Sequence, residues 1–201
     1  MAPNNAVSIA SASFQTPSSG IMLPMKIEYA VPFYENTPDN THCFQAALRM
    51  VLKYFLPDKD YAWEELEVIT AKKKDGWTWP IAAMIWLSKN GFEIKDIELF
   101  DYQEFSKTGK KYLAEKFGTE VAEAQDKFTD LPQEQRFSAD LLNYVHVEMR
   151  MPDIDDVRML LDEGYLLIQY TSQLAASVLT RELLPFSRWQ TTYDDHITRH
   201  S

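Results

Sequence analysis

The 201 residues are 45% hydrophobic, carry a formal net charge of −10 and include a single cysteine. That length and apolar content suit one globular domain with a core of its own. The charge argues against general affinity for nucleic acid or an anionic membrane, and one cysteine excludes an intrachain disulfide framework or a Cys-rich zinc site.

The first stretch, residues 1–24, contains no charged residue and is rich in Ser, Ala and Pro. It reads as a flexible leader, with a single folded domain over 25–201 and Met25 as a candidate initiator. "IEYAVPFY" (27–34) has the β-branched and aromatic content of a strand and runs into the polar turn "ENTPDNT". A helix follows. Phe44, Ala47, Leu48, Val51, Leu52 and Phe55 recur at offsets of three and four, which builds one apolar face, and Asn40 or Thr41 suits its cap.

"YAWEELEVIT" (61–70) reads as a shorter amphipathic helix, followed by the loop "AKKKDGWT", whose lysines are expected to be solvated. Pro80 and Gly91 bracket the helix "PIAAMIWLSKNG". "FEIKDIELF" alternates as a strand. Residues 101–150 have a charged helical pattern with breaks expected at Gly109, Gly118 and Pro132, and read as a helical insertion. "DIDDVRMLLDEG" is a further helix after Pro152, closed by Gly164, and "YLLIQY" a strand. The sum is an α+β architecture. Apolar runs such as "IAAMIWL" fall well short of the roughly 20 residues of a membrane span. With a reducing compartment implied by the cysteine count, a soluble cytoplasmic protein is the expectation.

The lone thiol has two readings. Free cysteine is among the most buried residue types, so Cys43 fits a core position. Placed at a helix N-terminus, it also fits a nucleophile whose thiolate the macrodipole stabilises. Such a nucleophile needs a general base and donors for the oxyanion.

The segment "VPFYENTPDNTHCFQAALRMVLKYF" resembles the start of the papain-like cysteine peptidases related to bacteriocin-processing, double-glycine leader peptidases. The likeness extends more loosely through "WEELEVITAKKKDGWTWPIAAMIWLSKNGFEI" and "DIDDVRMLLDEGYLLI". It implies a papain-like fold, a helical N-terminal half packed on an antiparallel sheet, and thiol-dependent hydrolysis of a peptide or small amide without a cofactor or metal. By position it implies Cys43 as nucleophile and Asn36 as oxyanion donor. Phe44 stands where the family often has glycine.

The tail, residues 170–201, diverges. Pro185 and Phe186 occupy the place of the family's "GH", and the orienting aspartate would fall at Ser201. His196 or His200, in "TYDDHITRHS", is the candidate replacement base, with His196 taken first, and the two together are a weak metal signal. His42 reads as a polar turn residue and His146 as lying on a helix face. Trp77 and Trp79 are either core residues or an aromatic wall beside the thiol. The alternative function is a non-catalytic peptide-binding or interaction module that retains the fold. Oligomeric state is left open.

Overall fold

Helix α1, Cys43–Phe55, lays Phe44, Leu48, Val51 and Leu52 into the core, as its spacing requires. The computed structural model to which it belongs describes residues 6–11 and 29–170. Next come α2 (Trp63–Ile69), α3 (Ile81–Lys89) and strand β2 (Glu93–Glu98). The expected insertion forms four short helices, α4 (Tyr102–Thr108), α5 (Lys110–Phe117), α6 (Thr119–Phe128) and α7 (Leu131–Leu141). Strand β3 (His146–Glu148), helix α8 (Ile154–Asp162) and strand β4 (Leu166–Tyr170) complete the order. No described helix is long and apolar enough to cross a membrane.

Local chemistry explains most of these boundaries. Asp101, Asp130 and Asp153 each accept a first-turn N–H of the helix they precede, at 2.8–3.0 Å. Gly109 and Gly118 separate α4, α5 and α6 with φ of 53° and 94°, a region that costs other residues strain. Pro132 lies in the first turn of α7, where its missing N–H is harmless, so it opens a helix rather than breaking one. The lysine loop is not simply solvated: Lys73 Nζ donates to the carbonyls of Lys127 and Thr129, each at 3.0 Å, tying the loop to the α6–α7 junction. Gly76 serves the same junction. Trp77 N–H reaches the Phe128 carbonyl at 2.8 Å, and a Cβ on Gly76 would collide with that oxygen.

The fold class expected from the sequence is overturned. The described residues are mainly helical, with eight helices, and the sheet is small and mixed rather than an antiparallel papain-like platform. Its order is β3-β2-β1-β4, where β1 is Ala6–Ser11, inside the stretch read as a flexible leader. β1 runs antiparallel to β2 and to β4, but β2 and β3 are parallel. The reason is topological: four helices intervene between β2 and β3, a crossover that returns the chain in the same direction, whereas antiparallel neighbours suit a hairpin. Residues 29–34, expected within a strand, join no ladder. Their backbone makes a local Val31 N–H to Tyr29 carbonyl bond, and the Tyr29 hydroxyl donates to the Leu161 carbonyl at 2.6 Å.

Most of the core is one cluster, running from α1, α2 and α3 through Phe92 and Ile94 to the aromatic centre of the insertion. Trp79 stacks on Phe105 at 5.1 Å and donates its indole N–H to Gln125 at 2.9 Å. Ile97, on the other face of β2, packs with Leu160 and Tyr165. Both faces of β2 are therefore covered, and two carboxyls are buried with them. Asp96 and Glu98 lie side by side on one face, where Tyr102 donates its hydroxyl to Glu98. Burial, then the neighbouring Asp96, pushes the Glu98 carboxyl well above the ordinary range. Glu134 on α7 is 4% exposed, and burial with Asp130 nearby raises its carboxyl to about 8.

Candidate functional site

Cys43 is the first residue of α1 and is exposed, which removes the buried-core reading of the thiol. Neither Asn40 nor Thr41 caps the helix. The N-cap position is His42, and its side chain makes no cap bond. That terminus carries the positive end of the helix dipole.

Asn36 is brought to the same place. Its Oδ1 accepts from the backbone N–H of Thr37 at 2.8 Å and of His42 at 3.0 Å, which folds the 36–42 loop back onto the start of α1. Two backbone donors fix the orientation of the carboxamide, because a flipped amide would set N–H against N–H. The Asn36 NH2 is then the end left to donate outward.

His42 is the residue that sequence reasoning undervalued. It is buried, at 8% exposure, and edge-on to Trp63 at 5.6 Å. Its Nε2 lies 2.6 Å from Glu67 Oε1 on α2, and its Nδ1 lies 2.8 Å from Thr37 Oγ1 and 2.9 Å from Thr41 Oγ1. The Thr37 hydroxyl gives its proton to Asp39 Oδ1 at 2.6 Å, so it meets His42 as an acceptor. That hydroxyl bond, followed by the Thr41 N–H, lowers the Asp39 carboxyl to about 2. A carboxylate faces one ring nitrogen and two threonine hydroxyls face the other, so both polar atoms of the ring are engaged. Asp39 Oδ1, 3.7 Å from Nδ1, adds a second negative charge. These contacts commit the ring to holding the loop against α2.

Two further contacts brace the thiol's turn. Gln45, two residues past Cys43 and fully buried, donates to Thr70 Oγ1 at 2.8 Å and Thr78 Oγ1 at 3.0 Å, anchoring α1 to the loop between α2 and α3. Arg49 pairs with Asp60 at 2.9 Å while its guanidinium covers the Tyr34 ring at 4.3 Å. A polar residue on an otherwise apolar helical face was the signal for Gln45. Nothing local signals the burial of His42, since α2 supplies it from elsewhere in the chain.

Of the residues singled out from sequence, Cys43 and Asn36 are brought together and His196 lies outside the described residues. His146 is on strand β3 rather than a helix, beside Glu148 at 3.4 Å. Trp79 is a core residue, and Trp77 stacks on Phe128 at 4.8 Å with partial exposure. Among the described residues, no group of three or more His, Cys, Asp or Glu side chains is arranged to hold a metal ion. No protein-family model matches the chain, and no curated protein or solved structure gives a significant match.

Proposed function

We propose that this protein is a thiol-dependent hydrolase acting on a peptide or related small amide, with Cys43 as its nucleophile. The observation that carries the reading is an exposed thiol at the first residue of α1 with the Asn36 carboxamide folded over the same helix start. Attack by the thiolate on a carbonyl carbon generates an oxyanion, which the Cys43 backbone N–H and the Asn36 NH2 are suited to receive. The proton shuttle that acyl transfer also needs comes from a group outside the described residues, for which His196 is the candidate. A reducing cytoplasmic setting keeps such an exposed thiol intact.

The second reading, a peptide-binding module without turnover, is favoured by one observation: both described histidines are engaged elsewhere, His42 with Glu67 and His146 with Glu148. Two measurements distinguish these readings. Iodoacetamide at pH 6 should label Cys43 in the folded protein several-fold faster than in the urea-unfolded chain. Equal or slower labelling in the fold refutes an activated thiol. Hydrolysis of a peptide library that Cys43→Ala abolishes supports the enzyme, whereas fast labelling without turnover supports the binding module.

A further inference from the structure

β3 lies at one edge of the sheet, and among the described residues its ladder partner is β2 alone. An edge of this kind presents a row of backbone donors and acceptors to any strand that fits it. Here the edge reads His146, Val147, Glu148, and that sequence is complementary to itself. When two copies meet antiparallel about a two-fold axis through Val147, each His146 stands directly opposite the partner's Glu148, and the two pairs form together. A parallel meeting in the same register would set each Glu148 carboxylate against the partner's Glu148, so like-charge repulsion disfavours it. That orientation closes on itself as a dimer and does not propagate.

Both sides of the pairing are prepared. The His146 side chain is 67% exposed, and its 3.4 Å contact with Glu148 of its own strand, which a second copy's Glu148 would share, sets both groups on one face of β3. Glu148 is held in place by Arg150, whose Nε lies 2.8 Å from Oε2. Arg150 is itself gripped by Asp156 in the first turn of α8, through Nη1 to Oδ2 and Nη2 to Oδ1, each at 2.6 Å. A carboxylate fixed in this way loses little conformational freedom on meeting a partner. Leu142 and Tyr144 before the strand, and Met149 and Met151 after it, are exposed large apolar side chains that an edge-to-edge contact would cover.

We infer that β3 is a self-association edge through which two copies of this chain pair antiparallel, His146 against Glu148. Sedimentation velocity on the full chain from about 1 to about 200 µM should show a concentration-dependent dimer. His146→Glu, which sets carboxylate against carboxylate twice, should weaken that dimer about tenfold or more, while His146→Lys should keep it. Neither exposed substitution threatens the fold. A chain that stays monomeric throughout overturns the inference, as do two variants that associate equally.

Discussion

Glu134 offers the sharpest test of the folded interior. It is 4% exposed on α7, its Oε2 has no hydrogen-bond partner among the described residues, and burial raises its carboxyl from 4.5 to about 8. The folded chain therefore keeps a proton that the unfolded chain has already released across that interval. Because the folded state binds more protons there, stability falls as pH rises from about 4.5 to about 8, and is flat above. At 1.36 kcal/mol per pH unit, the loss is about 3 kcal/mol between pH 5 and pH 8. Glu134→Met keeps the length of the side chain and removes the carboxyl, so it should abolish this contribution and leave the variant the more stable protein at pH 8. Urea unfolding followed by tryptophan fluorescence at pH 5, 6, 7 and 8 measures both slopes. Glu98, whose carboxyl is also raised, adds a slope of the same sign that persists in the variant, so the difference between the proteins is the quantity to read. Identical pH slopes in wild type and Glu134→Met would refute the reasoning.

Three other outcomes are expected. Glu67→Ala removes the acceptor that ties His42 to α2, and with Glu67 44% exposed at its side chain it should cost only about 0.5–1 kcal/mol in urea unfolding; no cost at all would count against that tie. Gly76→Ala forces the loop away from the Phe128 carbonyl and should cost roughly 1–3 kcal/mol, read from thermal or urea unfolding, with no effect at all counting against that close approach. A chain beginning at Met25 lacks β1, the strand between β2 and β4, and should lose β-type circular dichroism and unfold at lower urea; an unchanged transition would mean that the sheet does not depend on β1.

The parts of the fold that were legible in the sequence are those set by neighbours in the chain. Apolar residues three and four apart gave α1 its buried face, and glycine at 109 and 118 marked breaks because only a residue without Cβ enters those backbone angles cheaply. Asp153 after Pro152 announced α8 through a short side chain able to cap it. What the sequence left open is decided at a distance. The direction of β3 depends on how four helices cross the sheet, and β1 has little local signal because its backbone is satisfied by β2 and β4. In β2 the alternation slips at Asp96 and Ile97, so the pattern gave no warning that Asp96 and Glu98 would share the buried face with Ile94. At the candidate site, Cys43 and Asn36 were found by the resemblance of their segment, and the role of His42 came from Glu67 and Trp63 on a different helix.

The placement of β1 has a consequence for how the chain folds. Its six residues pair with Glu93–Glu98 on one side and with Leu166–Tyr170 on the other, so Ala6 faces Glu98 and Tyr170 at once. A strand made before both its partners must wait for β2, and then for β4, about 150 residues beyond β1 itself, before both its edges are satisfied. Such pairings raise the contact order, and the loop entropy is lost before the ladder repays it. Folding should therefore be slower than in an all-local helical protein of this size, with the helices forming early and the sheet closing last. During that interval β1 carries two open edges, which makes the nascent chain most vulnerable to intermolecular strand pairing just before Leu166–Tyr170 emerges.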